Sequence, residues 1–412
     1  MQKDRNRWLI ALAAVGIHIC IGSVYAWSVL TKPIMQELGV NLKDTQWTFS
    51  LAILFLGTSA AFLGGFVERH GPRRSGLVST FFFCTGLLGA SWAIEMRSLN
   101  MLYLFYGVIG GIGLGTGYIT PVSTLVSYFP EKRGFATGIA IMGFGFASMI
   151  AAPLYQVLLE SYGLTNTFRI LSAIYFVAML ASALYLRPPA RMSALVKSSK
   201  TDPITGVVQK SAKEALHSWQ FYVLWWMFFT NITCGIGLLS VASPMAQEVI
   251  NMSPIVAAAM VGIIGVLNGL GRFVWASISD YFGRANTYIT FFLIQIAAFF
   301  LLANTTNSIV FQLLIYLIIT CYGGGFSAMP AFLSDIFGTK EISSIHGKIL
   351  TAWAAAGIVG PLTVSWVWEN SHSYSATMLL FSACFVVALP FSIFLKIKQA
   401  KTRKESTVLR EG

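Results

Sequence analysis

The chain has 412 residues, 56% of them hydrophobic and only 11% charged, with a mean hydropathy of +0.69. Soluble domains carry about 25% charged residues, so this composition excludes a string of soluble domains, a disordered chain, a collagen and a disulfide scaffold, and points to an all-α membrane protein. The net charge is nonetheless +12, from 28 Lys and Arg against 16 Asp and Glu.

Crossing a bilayer core takes about 20 apolar residues in a helix. The first apolar stretch follows Lys3, Arg5 and Arg7 and runs to about Leu30. That is too long for the core of a signal peptide, so it is expected to be a retained first span. Spans are expected at 8–31, 45–67, 75–95, 99–127, 135–159 and 165–187, then at 218–243, 253–279, 285–304, 307–333, 347–368 and 374–395. The polar segment 188–217, with Pro188, Pro189 and Pro203, reads as a cytoplasmic linker between six-helix bundles at 1–187 and 218–397, and 398–412 as a cytoplasmic tail. The five cysteines all sit in apolar runs with no C-x-x-C, as buried small hydrophobes do.

An even number of spans puts both termini on one side. Of the 28 basic residues, 23 fall on that side, while Lys32, Lys43, Arg97 and Arg169 fall opposite. The positive-inside rule then makes both termini cytoplasmic in a multi-pass protein of the cell membrane. The basic excess needs no nucleic-acid partner, because the tail after Lys396 can meet anionic lipid headgroups.

One cation is left over. Arg272 lies eight residues before Asp280, so it stands about 12 Å from the helix end and close to the midplane of a core about 30 Å thick. Inserting arginine at that depth costs about 2.5–3.5 kcal/mol, and it stays protonated, so it must be paired or hydrated. No Asp or Glu falls at comparable depth in the twelve spans. A partner from outside the chain, an anionic substrate, meets the need, because the guanidinium fork fits a carboxylate in bidentate fashion. The competing reading is a structural cation capped by backbone carbonyls and by Asn268, one turn earlier. A short organic acid also needs a tight, dry cage. Tyr25 and Trp27 in span one, Tyr118 in span four, and Tyr322 and Phe326 in span ten are candidates for it.

The two halves repeat each other. Gly64-Gly65-Phe66-Val67-Glu68-Arg69-His70-Gly71-Pro72-Arg73-Arg74 ends span two, and Ala276-Ser277-Ile278-Ser279-Asp280-Tyr281-Phe282-Gly283-Arg284 ends span eight. Glu68 and Asp280 are 212 residues apart, and Gly134 and Gly347 are 213 apart. A half-length period fits two pseudo-symmetric six-helix bundles related by an axis along the membrane normal. The 64–74 segment resembles the loop that marks the major facilitator superfamily, with Glu68 where an Asp is usual. The resemblance implies a conformational latch of Glu68, Arg69, Arg73, Asp280 and Arg284, in which acids at helix ends meet basic residues and helix N-termini.

Finer motifs narrow the resemblance. They are Gly22-Ser23-Val24-Tyr25-Ala26-Trp27-Ser28, His217-Ser218-Trp219-Gln220-Phe221-Tyr222, Asn268-Gly269-Leu270-Gly271-Arg272, and Pro330-Ala331-Phe332-Leu333-Ser334-Asp335-Ile336-Phe337-Gly338. Along nearly the whole chain they resemble the oxalate/formate antiporter family, bacterial relatives of the monocarboxylate porters. This implies that Arg272 binds the carboxylate, that Tyr25, Tyr118 and Tyr322 line the site, and that Phe144 stands where relatives carry tyrosine. Oxalate-specific relatives have a lysine in span eleven, and Trp353 occupies that position here. The departure favours a monocarboxylate of the lactate, pyruvate or formate type over oxalate. Asn268 stands where proton-coupled relatives can carry Asp, which weakens proton symport by this route and favours exchange against a counter-anion or a different site for protons. His18 in span one reads as a hydrogen-bonded bystander.

Glycines crowd span four from Gly107 to Gly117. Without a strand before them they suit close helix packing rather than a dinucleotide site. No P-loop, metal cluster or nucleophile–base pair is present in the sequence, so no cofactor and no enzyme activity are expected. A drug or cation exporter would want a buried carboxylate. A carboxylate sensor of the same fold would want a signalling domain, for which 398–412 is too short. The expected protein is a monomeric secondary transporter of small organic anions in the lipid bilayer, working by alternating access.

Overall fold

Long apolar runs separated by Gly, Asn and Ser punctuation fold into helices throughout, and among the described residues there is no strand. The computed structural model describes residues 6–128, 133–187, 209–338 and 341–411. Helix α1 (Arg7–Leu38) passes through a 3-10 step at Ser23–Ala26 and stops at Gly39, whose φ of 65° suits a residue without Cβ. The side chain of Asn41 accepts from the Asp44 N–H to start α2 (Leu42–Phe62). Helix α3 (Gly64–Glu95) is broken at Gly71, with φ 78°, just before Pro72. Residues 64–74, expected as a loop between spans, are therefore helical on either side of that break.

Helix α4 joins Leu99–Leu102, a π-helical stretch at Tyr103–Gly110, and Gly111–Tyr128. The run Arg133–Tyr185 turns at Gly163, φ 72°, into α5 (133–162) and α6 (164–185). The second half follows as α7 (Trp219–Val249), α8 (Pro254–Phe282), α9 (Arg284–Ala303), α10 (Ser308–Phe337), α11 (Thr351–Ser371) and α12 (Ser375–Glu411). Among the described residues, ten helical runs are long and apolar enough to cross a membrane. The run through α5 and α6 holds two of the expected spans, and α2 falls outside the ten, so the twelve expected spans all have helices. Helix α12 continues well past the expected limit of 395, into the segment read as a tail.

Most of the expected linker, 188–208, lies outside the described residues. Its end forms a short helix, Ala212–Leu216, started by a capping box. The Ser211 hydroxyl accepts from the Glu214 N–H, and the Glu214 carboxylate accepts from the Ser211 N–H at 2.7 Å. That bond holds the Glu214 carboxyl below its ordinary value.

The halves meet along two seams built on small residues. Helix α2 lies so close to α11 that a Cβ on Gly57 would stand 2.7 Å from the Ala354 nitrogen. Helix α5 crosses α8 where a Cβ on Gly145 would be 2.8 Å from the Gly269 Cα. With no hydrophobic force between helices in lipid, such backbone approach is what packing has to work with. The Gly57→Val variant should lose about 1–3 kcal/mol of stability through overpacking, read as a lower midpoint of thermal unfolding in detergent. An unchanged midpoint would contradict this seam.

Candidate functional site

The crossing of α5, α8 and α10 sets the site. A Cβ at Gly271 would stand 2.5 Å from the Thr320 carbonyl oxygen, and one at Gly323 would stand 2.4 Å from that of Asn268. With Gly145 on the other side, these glycines draw α8 into the middle of the molecule and carry Asn268 and Arg272 with it. Arg272 is only 2% exposed. Its Nε donates to Asn268 Oδ1 at 3.2 Å, and its Nη1 donates to the Ile141 carbonyl of α5 at 3.5 Å. Nη2 is buried with no hydrogen-bond partner, and the Asn268 Nδ2 beside it also lacks one. The guanidinium lies 4.9 Å from the centre of the Phe326 ring and 6.0 Å from that of Phe144, within cation–π range. The hydroxyls of Tyr25 and Tyr118 are also near it.

Around the guanidinium six aromatic side chains close a cycle. Tyr25 meets Phe144 edge-on at 5.0 Å, Phe144 meets Tyr118 at 5.5 Å, and Tyr118 meets Trp353 at 5.2 Å. Trp353 meets Phe326 at 4.8 Å, Phe326 meets Tyr322 at 5.3 Å, and Tyr322 returns to Tyr25 at 6.1 Å. The Tyr25 and Tyr322 hydroxyls complete the circuit with a hydrogen bond of 2.8 Å. Three of the six rings come from the first half and three from the second. None is more than 2% exposed. These edge-to-face contacts are the favoured geometry for aromatic pairs.

Of the residues singled out from the sequence, Arg272, Asn268, Tyr25, Tyr118, Phe144, Tyr322, Phe326 and Trp353 thus come together. Trp27 does not. It packs on Phe49 at 6.0 Å and on Tyr106 at 4.8 Å, inside the first half. Two residues are about 200° of helix, so Tyr25 and Trp27 face opposite ways.

His18, read from the sequence as a hydrogen-bonded bystander, does have hydrogen-bond partners, and two further supporting residues, Asn231 and Gln295, escaped the sequence reading. The ring nitrogens of His18 lie 2.5 Å from the Ala140 carbonyl oxygen and 2.9 Å from that of Tyr118, and its ring stacks on Tyr118 at 5.5 Å. His18 therefore braces the wall behind Tyr118 and Phe144. On the other wall, the Gln295 amide donates to Asn231 Oδ1 at 2.9 Å, and Asn231 donates to the Tyr322 carbonyl at 3.4 Å. Gly235 leaves room for the Tyr322 ring, because a Cβ there would come within 2.2 Å of it. An Asn and a Gln inside apolar runs were the available signal.

The expected latch is described only in part. The Glu68 side chain lies outside the described residues, and Arg69 and Arg73 are exposed. Arg284 pairs with Asp280 one turn before it and reaches Asp335 at 3.7 Å, so it ties together the ends of α8, α9 and α10 within the second half. At the opposite end of the bundle, Lys32 of α1 pairs with Glu248 of α7 at 3.1 Å, and the Lys43 N–H donates to Glu369 at 2.9 Å. Both contacts join the halves. Arg169 pairs with Glu95 at 2.5 Å within the first half. The Lys32 and Glu248 side chains are about one-third exposed. A double-mutant cycle with Lys32→Met and Glu248→Gln should give a coupling of about 0.2–1 kcal/mol, read from thermal unfolding and shrinking with added salt. Zero coupling at low salt would dismiss the pair.

A helical fold in two halves, closed over a buried arginine, is the architecture of a membrane transporter rather than an enzyme. Residues 12–361 match the Major Facilitator Superfamily, and the chain belongs to that family. It is 28% identical over 362 residues to the uncharacterized MFS-type transporter YhjX of Escherichia coli (strain K12), covering 86% of this chain and 87% of that one. It is also 28% identical over 360 residues to the oxalate:formate antiporter of Oxalobacter formigenes, covering 86% and 83%. Monocarboxylate transporter 10 of Homo sapiens is 26% identical over 405 residues, covering 90% and 75%. Among solved structures, a bacterial homolog of the human lysosomal transporter Spinster, inward-facing and unoccupied, superposes with a TM-score of 0.76 at 16% identity, covering 94% and 96%.

Proposed function

We propose that this protein carries small monocarboxylates across the cell membrane by alternating access, with the carboxylate held by Arg272. The observation that supports this most is the Arg272 Nη2 group, buried inside the aromatic cycle without a partner. A charged donor left unpaired in low dielectric is costly. A carboxylate supplies both the opposite charge and the planar acceptor pair that a guanidinium fork fits. Within the described residues no ion pair engages Arg272, whereas other arginines at the helix ends have acids beside them. The relatives agree in substrate sign, since they include an oxalate:formate antiporter, an apicoplast pyruvate carrier and monocarboxylate transporters.

Trp353 disfavours a dianion. It contributes a neutral indole across the Phe326 ring from Arg272, so a second carboxylate would meet no second cation. Asn268 hydrogen-bonds Arg272 without adding a titratable acid to the site, which favours exchange against another anion. The halves at 1–187 and 218–397 rock about the α2–α11 and α5–α8 seams. Contacts made by Glu68, Arg69, Arg73, Asp280 and Arg284 close the cytoplasmic side, and both termini face the cytoplasm as the basic residues dictate.

Purified protein in proteoliposomes, loaded with one short acid and assayed for counterflow of labelled pyruvate, lactate, formate and oxalate, tests the proposal. Uptake of a monocarboxylate is expected in the wild type. Arg272→Gln and Arg272→Lys should each lower it at least a hundredfold, because lysine keeps the charge but not the fork. Wild-type uptake by a correctly inserted Arg272 variant would refute the role given to this residue.

A further inference from the structure

The cage holds more unpaired donors than a simple carboxylate uses well. Three buried N–H-bearing atoms there have no partner: Arg272 Nη2, Asn268 Nδ2 and Trp353 Nε1. Arg272 and Asn268 sit together on α8, one turn apart and hydrogen-bonded. Trp353 stands on α11 across the cycle, packed against Tyr118 of the first half and Phe326 of the second. The Phe326 and Phe144 rings each touch both Arg272 and Trp353. The α8 pair and the indole therefore lie against the same two rings, approached from different helices.

Indole N–H donates and cannot accept, and the free Arg272 and Asn268 groups are donors as well. The hydroxyls of Tyr25 and Tyr322 bond each other. The three unpartnered N–H groups call for acceptors. A carboxylate in the plane of the guanidinium uses both its oxygens toward α8. An acceptor for the indole then has to come from the next carbon of the ligand. A second carboxylate would bring a charge that a neutral N–H does not balance. A ketone oxygen, which only accepts, matches the indole N–H.

We propose that Trp353 Nε1 donates to the oxygen on the carbon next to the carboxylate, so that the site selects 2-oxo monocarboxylates over unsubstituted short acids. This rests on the assignment of Arg272 as the carboxylate site. The role of Trp353 is to set specificity, and it should be separable from the affinity that Arg272 gives to every monocarboxylate.

Pyruvate and propionate separate the two, because they share length and charge and differ in the ketone oxygen. The test is competition by each against labelled pyruvate counterflow in proteoliposomes. In the wild type pyruvate should compete about tenfold better than propionate, the value of one buried hydrogen bond. In Trp353→Phe, which keeps an aromatic ring in the cycle and removes the N–H, the ratio should fall to about twofold, with propionate little changed. Trp353→His, which keeps a ring N–H, should retain part of the preference if it folds. An equal response of the wild type to the two acids would overturn the proposal whether or not any variant folds, and so would a tenfold preference surviving in Trp353→Phe. If no short acid competes at all and Arg272→Gln changes nothing, it is the carboxylate site itself that has failed.

Discussion

The organisation of this protein follows from one buried charge that no acid among the described residues neutralises. Arg272 is held by one side-chain oxygen and one backbone carbonyl, and faces two aromatic rings. Each of these interactions is weaker than an ion pair. Together they hold the guanidinium in place and leave one nitrogen uncommitted. The glycines of α5, α8 and α10 follow from the same constraint. Only by letting backbones approach closely can they surround a charge at that depth with protein rather than lipid.

The aromatic cycle answers a second requirement. Phe144 and Phe326 present their ring faces to the cation, and the electron-rich face of a ring is the apolar surface that tolerates positive charge best. Tyrosine hydroxyls add polar atoms without adding a charge. The cage residues are buried, which strengthens electrostatics, and none of them is an acid. His18 on one wall and Asn231 on the other bond to main-chain carbonyls of the cage helices, and Gln295 holds the Asn231 side chain. These partners bear on ring placement rather than on the charge.

Much of this was legible in the sequence for identifiable reasons. Spans show as apolar runs, and the half-length repeat shows because both halves keep an acidic residue and a glycine at matching places. Arg272 stands out because charge at membrane depth is rare. The cage was less legible. A ring such as Phe144 looks like any of the 31 phenylalanines until α5 is seen to cross α8 at Gly145. Trp27 shows the opposite error. It lies two residues from Tyr25, and only the turn of the helix separates a cage residue from one that packs on Phe49. The bracing roles of His18 and Asn231 were hidden because their partners are backbone carbonyls, which carry no residue identity. The helix on either side of Gly71 was hidden because Gly-Pro normally marks a turn, and here the break is confined to Gly71 itself.

The cycle of rings crosses between the halves at two places of unlike character. One is the Tyr25–Tyr322 hydrogen bond, which is directional and is lost within a fraction of an ångström of separation. The other is Trp353 meeting Tyr118 and Phe144 edge-on, an apolar contact with no directional hydrogen bond. Under the rocking proposed above, separation on the Tyr25 side would break a directional bond and separation on the Trp353 side would not, so the two directions of opening would meet barriers of different shape.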